Sequence, residues 1–197
     1  MAKSNFIETY SILNKDECKR IVESFEEDER TIPGLTGVGV CPDYKKSTDL
    51  PCDFNDDDKW GSYNEVILLP LLEAKDKYVK KYENIMSKGP AFVLDKRYNI
   101  QRYKEGEGFF SEHHEHCQYF PYRMLAWSLF LNDAECGTYF TYYDKVIPAV
   151  GGNLIIFPAF WMHMHRGVVP NKGLKYIATG WWDYERPEPP RSMHPLI

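Results

Sequence analysis

In the N-terminal part of the chain, apolar residues recur at helical spacing. Within "KDECKRIVESFEEDE", residues 15 to 29, Cys18, Ile21, Val22 and Phe25 fall at intervals that predict an amphipathic helix. Asn14, with Glu17 following it, supplies the pattern of a capping box at its start. A second helix is predicted from Asn64 to Ser87, where Ile67, Leu68, Leu71, Leu72, Tyr78, Val79, Tyr82 and Ile85 supply the apolar positions. Pro70 either stands near its start or kinks it. Between the two, residues 30 to 61 are rich in Gly, Pro and Asp and keep no sustained period. They read as a long loop with one short strand near Tyr44 to Thr48. Gly34, Gly37 and Gly39 suit the loop from about 30 to 60 to close as a lid over a site.

After Gly89 and Pro90 the texture changes. "FVLDKRYNIQRY", "GFFSEHHEHCQ", "YRMLAWSLFLND", "GTYFTYYDKVI", "GGNLIIFPAFWMHMHRG" and "GLKYIATGWWDY" are short runs of β-branched and aromatic residues, separated by Gly, Pro, Asn and Asp. Helices followed by many short strands predict an α+β domain whose β part is a sandwich or barrel such as a jelly roll. One domain is expected over residues 1–197: helical support over 5–90, a β core over 91–184 and an extended, Pro-rich tail over 185–197.

Composition adds exclusions. The chain is 43% hydrophobic, with no apolar run near the ~18 residues of a membrane span. "MAKSNFIETYSILNKDE" lacks the apolar centre of a signal peptide, so the cytoplasm is the expected compartment. The five cysteines have irregular spacing and no CxxC pair, which predicts reduced thiols. A net charge of −5 gives no electrostatic reason to expect nucleic acid as a partner. Asp53, Asn55 and Asp57 resemble the opening of a calcium loop. Asp58 stands where that loop needs glycine and Asn64 where it needs glutamate, so a solvated acidic loop is expected.

The candidate chemistry lies in "FFSEHHEHCQ", residues 109 to 118, where Glu112 through His116 hold three of the chain's six histidines. On a strand, His113 and Glu115 share one face while His114 and His116 share the other. His113 and Glu115, joined by one more histidine, would make a 2-His-1-carboxylate triad with open positions on ferrous iron. His114 with His116 would suit zinc, copper or a cupin-like site. Exposed histidines on an edge strand are the third reading, and the quartet alone leaves all three open.

A second stretch, "HMHRGVVPNKGLKYIATGW" at residues 163 to 181, changes this. With Tyr103, the "EGEG" turn, Phe110 and His113-His114-Glu115, it resembles the iron(II)/2-oxoglutarate-dependent oxygenases, in their prolyl 4-hydroxylase-like branch. His165 is followed by Gly167, Gly173 and Lys175 at the family's offsets, and Trp181 closes the strand. "RMLAWSLFLNDAECGTYF" resembles the family's following strand and turn, although Cys136 replaces one glycine and no acidic residue follows Gly137. Glu115 replaces the commoner aspartate. The resemblance spans about residues 98 to 182.

It implies a double-stranded β-helix (jelly-roll, cupin-like) core with supporting N-terminal helices, and a dioxygenase that hydroxylates its substrate while decarboxylating 2-oxoglutarate to succinate. Iron(II) is implied on His113, Glu115 and His165, His165 rather than His163 having the right offset. Lys175 is implied to meet the far carboxylate of 2-oxoglutarate, with Tyr103 as a hydroxyl partner by the resemblance and Thr179 as another because it shares a strand face with Lys175. Dioxygen, and ascorbate as reductant, complete the set. His114, His116 and His163 are expected behind the ligands or on the surface, and His194 is incidental.

The family implies a peptide or protein substrate, peptidyl proline being one reading beside other side chains, free amino acids and nucleobases. Tyr142, Tyr143 and Trp161 are candidates for an aromatic groove. A metal-binding jelly roll without enzymatic activity and a zinc hydrolase are the rivals; Lys175 with Gly173 separates the oxygenase from the first, and the sequence shows no general base at a helix, as in HExxH, for the second.

Overall fold

The structure, a computed structural model, describes residues 4–56, 59–83 and 91–185. The end of the second predicted helix, Asp57, Asp58 and the tail from residue 186, with His194, lie outside these residues. β1 (Glu8–Ser11) leads into α1 (Lys15–Glu26), followed by β2 (Ile32–Pro33), β3 (Lys45–Lys46), β4 (Thr48–Asp53) and α2 (Gly61–Lys81). Then come β5 (Phe92–Leu94), β6 (Arg97–Tyr103), β7 (Gly108–Phe109), β8 (Arg123–Phe130) and β9 (Ala134–Phe140). β10 (Lys145–Ala149), β11 (Asn153–Pro158), β12 (His165–Gly167) and β13 (Lys175–Tyr184) complete the sequence of strands.

The major sheet runs β1-β11-β8-β13-β6-β4-β2, with β5 also paired to β13. A smaller sheet, β10-β9-β12, packs against it, and β3 pairs with β7. Neighbouring strands are antiparallel throughout. This is a jelly roll. Alternation along each strand sorts two cores. Leu125, Trp127 and Leu129 of β8, Tyr98 and Ile100 of β6, and Tyr176, Ala178 and Trp182 of β13 pack with Ile21 and Phe25 of α1 and Ile67 and Leu71 of α2. Phe130, Ile155, Phe157 and Ile177 point the other way, against Phe140 and Ile147 of the smaller sheet.

The helices follow from local chemistry. Asn14 Oδ1 accepts from the Glu17 amide at 2.9 Å and Glu17 Oε2 accepts from the Asn14 amide at 2.8 Å, the reciprocal capping box. In α2 the residues Asn64, Ile67, Leu71, Ala74 and Tyr78 form the buried stripe, and Pro70 lies well inside the helix rather than near its start. No described helix is long and apolar enough to cross a membrane.

The structure departs from expectation over residues 30 to 61. β2 and β4 join the major sheet there and β3 pairs with β7, so more than the single short strand is present and the longest irregular stretch shrinks to residues 34–44. The part expected to be helical support also supplies β1, which pairs with β11.

Asp28 anchors the exit from α1. Its buried carboxylate accepts from Arg30 Nε, Nη2 and backbone N, and from Trp60 Nε1 at 2.8 Å. The hydrogen-bonded Arg30 guanidinium beside it holds its carboxyl well below the usual range. The stabilisation is therefore present above the ordinary carboxylate pKa near 4 and is lost as pH falls through the depressed value. Asp28→Ala strands the Trp60 donor, and urea unfolding at pH 7 is expected to show a loss of about 2–4 kcal/mol.

Candidate active site

β7 ends at Phe109, and the chain then runs irregularly to His113. His113 meets His165, the first residue of β12, in an isolated antiparallel bridge. Each donates its backbone N–H to the other's carbonyl at 2.9 Å, so both imidazoles leave the same side. The continuous strand expected over residues 109 to 118 is absent. Instead the Ala159 carbonyl accepts from the amides of both Glu115 and His116, and at this bend the Glu115 carboxylate meets the two rings.

Glu115 Oε1 lies 3.5 Å from His113 Nε2 and 3.5 Å from His165 Nε2. The three side chains offer ligand atoms all within 4.8 Å of one another, and no other such group of potential ligands occurs among the described residues. Donors ~2.1 Å from a common ion at right angles stand about 3 Å apart, close to what is seen. Both Nδ1 atoms are committed elsewhere: His113 donates to the Ser111 carbonyl at 3.0 Å and His165 to the His163 carbonyl at 2.8 Å. That commits both Nδ1 protons and leaves both Nε2 atoms, the ones free to meet a metal, facing the carboxylate. Phe109 stacks on His113 with ring centroids 3.8 Å apart, and Phe157 packs edge-on to His165 at 4.8 Å. Burial opposes charge on Glu115, yet hydrogen bonding from the Nε2 side of the two imidazoles holds its carboxyl well below the usual range. Burial and the neighbouring His113 hold His165 below its ordinary value. An ionised carboxylate beside a neutral imidazole is what a divalent ion requires.

Glu115 Oε2 faces away from the histidines. It accepts from the Trp181 indole N–H at 2.9 Å and lies 3.6 Å from Arg123 Nη1. The Arg123 guanidinium sits between the Trp181 and Phe120 rings, 3.5 and 3.7 Å from their centroids.

These groups border a cavity of about 430 Å³ whose floor is the inward face of the major sheet. Lys175, Ile177, Thr179 and Trp181 of β13 line it at alternate positions, beside Asn99, Gln101 and Tyr103 of β6. Lys175 is 3% exposed, and its ammonium donates to the Gly137 carbonyl at 3.0 Å. Burial pushes its pKa down to about 8. Of the glycines before it, Gly173 adopts a φ of +73°, which favours glycine, while a Cβ on Gly167 would meet Lys175 Nζ at 3.6 Å, an ordinary contact. Gly167 is two residues along β12 from His165, so Lys175 Nζ lies beside the strand that begins with that histidine, and both side chains line the one cavity.

The sequence-derived candidates thus meet in one cavity, with differences in detail. The Tyr103 hydroxyl donates to Gln101 Oε1 at 2.7 Å and Thr179 donates to the Trp127 carbonyl at 2.9 Å, so each is left to accept only. Phe109 packs on the His113 ring, and Phe110, the aromatic of the family pattern, is half-exposed. His163 is buried outside the cavity with its Nε2 on the Asn5 carbonyl, and His116 donates to the Arg123 carbonyl. His114 borders the cavity without joining the ligand group. Tyr142 and Trp161 lie exposed on 3-10 turns outside the cavity and form no groove there. Gln101, Asn99 and Arg123 went unread. Polar side chains at alternate positions of "YNIQRY" were the available signal.

No protein-family model matches the sequence, and no curated protein does. Solved structures match its fold. A viral collagen prolyl hydroxylase from Paramecium bursaria Chlorella virus-1, in its 2OG complex, has a TM-score of 0.67 at 17% identity, covering 91% of this chain and 97% of that one. A Trichoplax adhaerens prolyl hydroxylase in complex with a hypoxia inducible factor peptide fragment has a TM-score of 0.66 at 15% identity, over 92% and 84%. SnoN, a non-heme alpha ketoglutarate dependent epimerase of nogalamycin biosynthesis, has a TM-score of 0.60 at 12% identity, over 91% and 79%. The chain has the prolyl hydroxylase-like jelly-roll fold.

Proposed function

We propose that this protein is an iron(II)- and 2-oxoglutarate-dependent dioxygenase that hydroxylates a peptide or protein side chain. Lys175 carries the reading. Its buried ammonium has no carboxylate partner among the described residues and lines the same cavity as His113, Glu115 and His165. A binding module or a zinc hydrolase has no use for that cation. Iron(II) on the three donors would supply oxygen activation coupled to decarboxylation of 2-oxoglutarate to succinate, with ascorbate as reductant. The chain's own part is to hold the far carboxylate at Lys175, to fix the histidine rings through Ser111 and His163, and to wall the site from water with Phe109 and Trp181.

Peptidyl proline is the substrate to test first, since prolyl hydroxylases, one solved with a peptide, share the fold. The epimerase on the same fold keeps other substrates in view. A cytoplasmic setting fits five free thiols. The deciding experiment is anaerobic addition of ferrous iron and 2-oxoglutarate. The weak visible charge-transfer band of a chelated keto acid is expected, and its absence with both present in excess would remove the oxygenase reading.

The same titration carries a pH dependence. The charged form of Lys175 binds the diacid, and burial brings its pKa in the free protein down to about 8. Affinity should hold between pH 6.5 and 7.5 and fall as pH rises through 8, approaching about tenfold per unit above it. A flat profile to pH 9.5 would place the diacid elsewhere.

A further inference from the structure

We propose that Trp181 and Arg123 are positioning residues that confine Glu115 to a single metal-facing oxygen. This rests on the metal site read above and concerns the groups that restrain its carboxylate. A carboxylate with both oxygens free can chelate a cation through both. Glutamate, one methylene longer than aspartate, has more freedom to swing into that arrangement. The count of positions makes it costly: two imidazoles and one oxygen occupy three of an octahedral ion's six, and a second oxygen would occupy a fourth. A chelating keto acid and dioxygen together need the remaining three.

In this chain the second oxygen is engaged. While Oε1 faces His113 and His165 at 3.5 Å each, Oε2 accepts the Trp181 indole N–H at 2.9 Å, with Arg123 Nη1 at 3.6 Å beside it. The indole is a donor that cannot itself ligate a metal. It is also fixed: Trp181 pairs with Ala126 in the register of β13 on β8, and one face of its ring is covered by the Arg123 guanidinium, which Phe120 covers from the other side. The extra methylene of Glu115 is taken up in spanning from the histidines to this clamp. The pairing also gives Trp181 a role beyond closing the strand.

The test uses cobalt(II), an air-stable stand-in for iron(II), titrated calorimetrically into native protein, Trp181→Phe, Glu115→Asp and the double variant. Trp181→Phe keeps an aromatic face for Arg123 and deletes only the N–H. It is expected to change the cobalt d–d spectrum as the freed second oxygen takes up a position, and to weaken about ten- to hundredfold the binding of 2-oxoglutarate to the cobalt-loaded protein, which loses that position. In the Glu115→Asp background the shorter side chain no longer reaches the indole, so adding Trp181→Phe should cost less than about twofold. Arg123→Met should weaken binding by less than Trp181→Phe, with Arg123→Lys recovering part. Melting temperatures of the cobalt-loaded protein with and without 2-oxoglutarate separate positioning from folding: positioning predicts that the increment on adding 2-oxoglutarate shrinks. Additive losses in the cycle, or an unchanged increment with a lower metal-free melting temperature, would overturn the proposal and leave the metal site standing. Failure of the native protein to bind cobalt would sink both.

Discussion

Replacing His165 by alanine is expected to give a folded chain that no longer retains iron(II). The ring supplies one of three donors, Nε2 at 3.5 Å from Glu115 Oε1, and no other histidine among the described residues joins the ligand group. The loss should exceed a hundredfold in affinity, beyond the ~10–100-fold typical of residues behind a ligand, and His113→Ala and Glu115→Ala should match it. The informative control is His163→Ala. His163 lies two residues away, but its Nε2 meets the Asn5 carbonyl, and what it offers His165 is a backbone carbonyl that alanine keeps. That variant should lose stability and still bind iron. Calorimetric titration under anaerobic conditions, with circular dichroism for the fold, decides it. Iron binding that survives in His165→Ala and vanishes in His163→Ala would mean the wrong histidine carries the site.

The second large effect is expected at Lys175. Lys175→Met keeps most of the side chain's volume and removes the charge, so iron binding should persist while the dissociation constant for 2-oxoglutarate rises about ten- to hundredfold. That corresponds to roughly 1.5–3 kcal/mol for a charge-assisted hydrogen bond. Lys175→Arg should recover only part, because the space near Gly137 and Gly167 accepts an ammonium and a planar fork needs more. Keto acids without the distal carboxylate should bind native protein and Lys175→Met alike. Equal 2-oxoglutarate affinity in native and Lys175→Met protein would take the diacid away from this lysine and leave a metal-binding jelly roll.

What could be read from the chain was whatever local chemistry decides. The capping box of α1, the stripe of α2 and the alternation of β8, β11 and β13 are written in neighbouring residues. So was the face shared by Lys175 and Thr179, because strand period alone sets it. β4 was not readable. "TDLPCD" carries a proline, and its pairing with β6 is a tertiary choice that tolerates Pro51 because β2 pairs only with Thr48 and Asp49. The stretch from Phe110 to Cys117 was read as a strand because its pattern alternates, whereas its backbone bonds go to His165 and Ala159 through isolated contacts. Aromatic content placed Tyr142 and Trp161 near the site, yet composition cannot say on which side of a sheet a ring falls.

β13 is the last strand described, yet it lies between β8 and β6 in the middle of the major sheet. Until the ribosome has released residues 175–184, both neighbours present open edges, and the hydrophobic face meant for the helices has a gap at its centre. Nascent chains and fragments that stop before β13 therefore expose paired sticky edges rather than a smaller stable fold. The residues that complete the sheet are also those that carry Lys175, Thr179 and Trp181, so closing the sheet and laying the cavity floor are one event.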